Sequence, residues 1–182
     1  MGCFLLHTCC GPCATSAIER LLREGTKPVL FFDNPNIFPN EEREKRRDTL
    51  HTVAKHYNLD VIDGYTPHEE WLSYINGFEE EKEGGERCKK CFYFNAMLAH
   101  KKLEECRFEK FSTTLTVSRF KNSNKVFAEF SGFPKFAAID FKKQDGFALS
   151  CRLSNELHLY RQHYCGCEFS IKTATTETEV AE

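Results

Sequence analysis

Cys3-Phe4-Leu5-Leu6-His7-Thr8 runs directly into Cys9-Cys10-Gly11-Pro12-Cys13. The first segment is a short apolar run, Gly-Pro interrupts it, and Ala17, Ile18, Leu21 and Leu22 then recur at helical spacing. That order reads as strand, tight loop, helix. In open α/β sheets ligands bind in the crevice at the carboxyl ends of the strands, so a site is expected at this loop. Three thiols within five residues there make the loop one wall of a metal site.

The same alternation continues outward. The first helix should end near Gly25, and Pro28–Phe32 reads as a fully buried second strand. Two prolines keep 33–40 irregular, and a charged helix over 41–57 turns Leu50, Val53 and Ala54 inward. A third strand is expected over 59–62 and a helix over 67–75, with Pro67 suited to its first turn. The acidic, glycine-bearing stretch 77–87 reads as a mobile loop that delivers Cys88. Beyond it come a helix over 88–106, a Phe- and Thr-rich strand over 108–117, a short helix over 124–130 and a last strand over 136–141. Leu153, Leu157, Tyr160 and Tyr164 predict a helix over 153–164 that ends in Cys165-Gly166-Cys167. The segment 173–182 holds only Thr, Glu, Ala and one Val, the composition of a disordered tail. The fold class is therefore α/β, a single metal-binding domain over 1–172 with a mainly parallel sheet flanked by helices.

A chain of 182 residues that is 41% hydrophobic supports one sizeable core. Its net charge of −2 and pI of 6.4 exclude a globally basic nucleic-acid coat but leave room for a local basic surface. No charged leader or membrane-length apolar segment is visible, and Leu6 stands where a myristoylation motif needs Ser or Thr. A soluble, cytoplasmic protein is expected.

Ten cysteines are too few for a disulfide scaffold, and a core of this size needs no staples. In a reducing compartment clustered cysteines are metal ligands or redox centres. Isolated Cys3, Cys106 and Cys151 read as buried small hydrophobes. The other seven form three clusters: Cys9, Cys10 and Cys13; Cys88 and Cys91; Cys165 and Cys167. Cys-x-x-Cys at a loop-to-helix junction is a bidentate claw whose thiolates are stabilised by helix amides. Seven thiols exceed the needs of one structural zinc, and suit an iron–sulfur cluster with a neighbouring metal. A thioredoxin-like dithiol at Cys88 and Cys91 would leave five thiols without a role.

At these residues the chain resembles the QueH family of epoxyqueuosine reductases. The resemblance rests on Leu5-Leu6-His7-Thr8-Cys9-Cys10-Gly11-Pro12-Cys13, Asn34-Pro35-Asn36-Ile37 and Gly84-Gly85-Glu86-Arg87-Cys88-Lys89-Lys90-Cys91-Phe92. Further matches are Thr113-Thr114-Leu115, Asp140-Phe141-Lys142-Lys143, Gly146-Phe147 and the stretch from Leu159 through Cys165-Gly166-Cys167 to Ser170. The chain departs from the family pattern at Asp33, where an aromatic is usual, at Asn95, where a basic residue is common, and at Arg119, where proline is frequent. The resemblance implies a fold similar to the nucleotide α-hydrolase-like (HUP) folds. It implies a [4Fe-4S] cluster beside an additional iron ion, and deoxygenation of epoxyqueuosine in tRNA to give queuosine.

Removing an epoxide oxygen is a two-electron reduction that consumes protons. An iron–sulfur cluster passes electrons singly, and a second metal can polarise the oxygen. On this reading Cys9, Cys10, Cys88 and Cys91 hold the cluster, while Cys13, Cys165 and Cys167, with Asp140, hold the second iron. An external low-potential donor supplies the electrons. Spacing does not show which loop faces which, so the division stays open. Donors are also needed near the developing oxyanion, and His7, Tyr160, Tyr164 and Arg161 are candidates. Aromatics at helical spacing more commonly pack than react, but the resemblance favours Tyr160 and Arg161.

Asn34 and Asn36 offer amides to a purine-like edge or to cyclopentane hydroxyls, although Asn-Pro favours a turn in any case. Asp140 is alternatively an acceptor for the amino edge of a base. Binding the anticodon loop of tRNA calls for base extrusion, aromatic stacking and phosphate contacts. Lys121, Lys125, Lys142 and Lys143 suit the phosphates. Arg43, Lys45, Arg46 and Arg47 are interleaved with Glu41, Glu42, Glu44 and Asp48 and read as a solvated helix face.

Two rivals are a tRNA-thiolating enzyme of the nucleotide α-hydrolase group and a non-enzymatic electron-carrier or zinc module. The first needs a Ser-Gly-Gly-rich phosphate loop where this chain has Cys9-Cys10-Gly11-Pro12-Cys13, with a single glycine. The second predicts neither the long interval from Cys10 to Cys88 nor the other matching stretches.

Overall fold

The computed structural model describes residues 4–171. Four parallel strands, β1 (Phe4–His7), β2 (Pro28–Phe32), β3 (Val61–Asp63) and β4 (Lys110–Thr113), form a sheet in the order β3-β2-β1-β4. Leu6 of β1 pairs with Leu30 on one side and Ser112 on the other. All four residues of β1 are buried, as a central strand covered on both faces requires.

Side chains alternate across the strands and build two apolar layers. Leu6, Leu30 and Phe32 face α1 (Gly11–Arg23) and α2 (Asn40–Tyr57), meeting Ala14, Ile18, Leu50 and Val53. Leu5, Phe31 and Phe111 face α4 (Glu86–Glu105) and α5 (Ser123–Phe130), meeting Phe92, Ala99, Leu103 and Phe130. The short α3 (His68–Tyr74) packs against α4, and α6 (Gly146–Glu156) lies along α1. The expected single α/β domain is observed. No helix among the described residues is long and apolar enough to cross a membrane.

Gly11 is where the first layer closes. A Cβ there would lie 2.6 Å from both Cγ2 and the carbonyl oxygen of Thr49, so glycine lets the start of α1 press against α2. Pro12 fixes the first turn of the helix.

Three expected elements end differently. The strand expected over 108–117 stops at Thr113, whose Oγ1 accepts from the Leu115 amide and starts the 3-10 turn Thr114–Val117. The strand expected over 136–141 is one bridge, Phe111 to Phe136, before the chain leaves the sheet. The helix expected over 153–164 is α6, which begins earlier and closes at Glu156. His158 takes φ 51°, its amide bonds the Asn155 carbonyl, and the Leu159 amide bonds the Ser154 carbonyl at 2.8 Å. This is a Schellman ending without the glycine that usually announces one. Tyr160 and Tyr164 therefore lie in an irregular segment, where the apolar spacing had suggested a helix face.

The acidic stretch before α4 is folded into turns, and the buried Arg87 donates through Nη1 to the Glu79 and Glu81 carbonyls. Cys106 is exposed at the end of α4 and Cys151 is half-buried, so the buried-hydrophobe reading fails for Cys106. Cys3 and the segment 173–182 lie outside the described residues.

Candidate metal centre

After β1, the Thr8 amide and hydroxyl both bond the Phe31 carbonyl, at 2.8 and 2.9 Å. This carries the chain one step past the sheet before it turns into α1. Cys10 is the extended residue that caps α1. The sulfurs of Cys9, Cys10 and Cys13 all lie within 4.8 Å of one another. Cys10 is held well below the usual thiol range by hydrogen bonds from Cys13 and Cys9, with the Arg46 guanidinium adding to the effect. Cys13, the donor, is correspondingly raised. Gln162 Nε2 donates to Cys10 Sγ at 3.1 Å, and Thr114 Oγ1 accepts from the Cys9 amide at 3.3 Å.

A second thiol group stands across from the first. Cys88 and Cys91 lie at the start of α4, and the Gly84 amide donates to Cys88 Sγ at 3.1 Å. Burial pushes the Cys91 thiol well up, and the charges of Cys165, Cys167 and Cys88 add to it. Burial and Cys165 likewise raise Cys88 and Cys167. Cys165 thus acts electrostatically on each of the other three, but among the described residues only the Cys9, Cys10 and Cys13 sulfurs lie within 4.8 Å of one another. Lys121 joins the two groups: its ammonium is 3.2 Å from Cys165 Sγ, and Cys165 and Cys9 raise its pKa although burial opposes the charge.

Arg46 of α2 holds the Cys165 segment in place. Its Nη1 donates to the Cys165 carbonyl at 3.0 Å and its Nη2 to the Tyr164 carbonyl at 3.2 Å, while Nε pairs with Glu42 at 2.7 Å. Arg46 is 1% exposed, so the solvated-face reading fails for it and for Glu42, which is 7% exposed. Gly166 takes φ 129°, and a Cβ there would come within 3.0 Å of Arg46 Nη1. The Gly166 carbonyl accepts from the Phe38 amide, and Tyr164 Oη donates to the Phe38 carbonyl at 2.6 Å.

Between the groups lies a cavity of about 590 Å³, lined by Cys9, Cys13, Cys91 and Cys165 among others. Asn34 and Asn36 line it, and Asn34 Nδ2 donates to the Thr8 carbonyl at 2.8 Å. Arg161 also lines it, with its guanidinium on the Ser150 carbonyl and Ser154 Oγ. His7 is wholly buried, its Nδ1 2.9 Å from Thr113 Oγ1, and burial lowers its pKa to about 4, so the imidazole is neutral. Tyr160 does not line the cavity; its hydroxyl donates to Glu42 Oε2 at 2.7 Å. Asp140 lines a shallow hollow beside the cavity with Lys142, and Oδ1 accepts from the Lys142 amide. Lys125 reaches the Gly84 carbonyl at 2.6 Å, Lys142 reaches the Lys121 carbonyl at 2.6 Å, and Lys143 is exposed.

Sequence reasoning missed Gln162, Thr114, Arg46 and Asn95. Asn95 is buried and donates to the Cys91 carbonyl at 2.8 Å and to Asn36 Oδ1 at 3.3 Å. For Arg46 the one signal was Glu42 four residues earlier, a spacing that surface pairs share.

The profile of the family described as epoxyqueuosine reductase QueH matches residues 4–173. The chain belongs to the QueH family. The epoxyqueuosine reductase QueH of Thermotoga maritima is 38% identical over 183 residues, spanning 94% of this chain and 91% of its own. Those of Streptococcus pyogenes and Acinetobacter baylyi are each 33% identical, spanning 92% of this chain and 70% and 80% of their own. The matched span contains both thiol groups, and QueH membership disfavours the thiolating and electron-carrier readings. The donor set itself fits a metal: the Cys9, Cys10 and Cys13 sulfurs are close-set and free of disulfides, and Cys10 is biased toward thiolate.

Proposed function

We propose that this chain is an epoxyqueuosine reductase, an oxidoreductase that converts epoxyqueuosine in tRNA to queuosine. The observation that carries the reading is the pair of thiol groups facing one amide-lined cavity, in a chain matched by the QueH family from end to end of its folded domain. The reaction takes two electrons and two protons, breaks both C–O bonds of the epoxide, leaves a carbon–carbon double bond and releases the oxygen as water.

A [4Fe-4S] cluster and an additional iron, held by the seven thiols, would supply single electrons and Lewis-acid polarisation of the oxygen. Their division is best drawn along the two walls, with Cys9, Cys10 and Cys13 on one metal group and Cys88, Cys91, Cys165 and Cys167 on the other. The closeness of Cys13 to Cys9 and Cys10 supports this over a division that puts Cys13 with Cys165, Cys167 and Asp140. Asp140, on the outer hollow, reads better as an acceptor for a base amino group.

Lys121 Nζ keeps a proton in the cavity wall and can donate to an oxygen that gains charge. Lys121 is half-buried with its ammonium committed to Cys165 Sγ at 3.2 Å, so the phosphate contacts are assigned to Lys125, Lys142 and Lys143. Gln162 Oε1 and Asn95 Oδ1 are buried acceptors without a hydrogen-bond partner among the described residues, and with Asn34 and Asn36 they suit the hydroxyls and amine of a polar substrate. Arg161 orients the segment beside them. Tyr160 is a positioning residue that acts through Glu42 on Arg46. The partners are tRNA and an external low-potential electron donor, and the setting is the cytoplasm.

The test is anaerobic incubation of the metal-loaded protein with epoxyqueuosine-tRNA and a low-potential reductant, followed by nucleoside analysis. Queuosine is the expected product. Unchanged epoxyqueuosine from a fully loaded preparation would overturn the reading.

A further inference from the structure

Phe120 is 77% exposed, more than any other large apolar side chain among the described residues. It sits in a turn just past the 3-10 segment, where its own amide bonds Ser118 Oγ at 3.3 Å and the Lys121 amide bonds the Ser118 carbonyl at 3.3 Å. The ring is thus held out on a backbone fixed at both sides.

Its position ties it to the site. Phe120 lines both the thiol cavity and the shallow hollow next to it. The Arg119 guanidinium lies 4.8 Å from the Phe120 ring centroid and 5.3 Å from that of Phe147, and it makes no hydrogen bond or ion pair with the described residues. Lys121 and Lys142 add two further cations to the hollow, and Asp140 is the one carboxylate that lines it. An exposed aromatic face with a guanidinium packed against it, beside a cationic hollow, is the combination that holds single-stranded nucleic acid. A nucleotide whose base enters the cavity has neighbours in the same strand, and these must lie across the mouth.

We propose that Phe120 is the stacking platform for the nucleobase adjoining the modified nucleotide, with Arg119 and Lys142 holding the phosphate between the two. Asp140 faces the same hollow and can accept from an exocyclic amino group of that neighbouring base. The inference rests on the reading of the cavity as the site for a modified tRNA base. It adds a recognition element outside the reacting centre, one that reads RNA through a face every base possesses.

The experiment measures binding separately from turnover. An anticodon stem-loop RNA with 2-aminopurine at the position on either side of the modified one is titrated into the metal-loaded protein, without reductant. Wild type should change the fluorescence of one of these probes. Phe120→Ala should lose that change and bind at least about fivefold more weakly, while Phe120→Trp restores both. In turnover, Phe120→Ala should raise KM for tRNA and leave kcat unchanged. Binding by Phe120→Ala within twofold of wild type would sink the proposal, as would Phe120→Trp as weak as Phe120→Ala. A drop in turnover with a protein electron donor, at unchanged RNA affinity, would assign the ring to that donor instead and overturn the inference. Stem-loop binding through Phe120 by a protein that makes no queuosine would overturn the proposed function and leave this inference standing.

Discussion

Cys9 and Cys13 reach the cavity on a single strand-to-helix turn, with Cys10 packed beside them, whereas Cys91 and Cys165 are brought there from two segments far apart in sequence. The first group is assembled by local geometry: β1 is pinned in the middle of the sheet and α1 begins at once. The second group depends on distant packing, above all on a buried arginine in α2 that holds two carbonyls of the Cys165 segment. A local site is lost only with its element. A converging site is also lost when a support far from the chemistry gives way.

The widest test of this contrast removes a ligand from each side. Cys10→Ser and Cys167→Ser, prepared anaerobically, should each lower iron per chain and bring queuosine formation below detection. Full iron in either variant would remove that wall from the metal site. Next in size is Arg46→Met, which leaves Glu42 buried without its cation and should cost about 3–5 kcal/mol in chemical denaturation. Amide exchange should quicken over residues 164–167 and stay slow in α1. Glu42→Gln added to Arg46→Met should recover part of that loss, since the unpaired carboxylate is then gone.

The local wall has its own weak point at Gly11. Gly11→Ala sets a methyl group against the Thr49 backbone and should lower stability by about 1–3 kcal/mol, read as a shift in denaturation midpoint. The smallest effect is expected for Thr114→Val, which removes the hydroxyl that accepts from the Cys9 amide. About 1 kcal/mol should go, with iron content unchanged. A larger loss of iron there than in Arg46→Met would reverse the contrast between the two walls.

Much of the fold was legible because its signals are short-range. Pro28–Phe32 is a strand with the bounds read, although Val29 is half-buried, and Gly25 marks the end of α1 with φ 78°. The end of α6 was not legible, because His158 adopts the left-handed turn that glycine usually signals. The candidate ligands were legible as residue types at close spacing. Gln162 was not, since nothing in an amide's sequence position shows that it will meet Cys10 from across the domain.

By itself, then, the sequence determined an α/β chain with a thiol-rich loop after its first strand, seven clustered cysteines and the pattern of the QueH family. Hydrophobic period, Gly-Pro punctuation and ligand count are local properties, written where they act. The tertiary structure alone decided that the Cys9, Cys10 and Cys13 sulfurs stand together, that Tyr160 bonds Glu42, and that Arg46 is a buried strut. The physical reason is burial: a charge among charges in α2 has the same sequence pattern whether it faces water or the core. Only the packing of the Cys165 segment over it withdraws the solvent and makes its hydrogen bonds hold the site together.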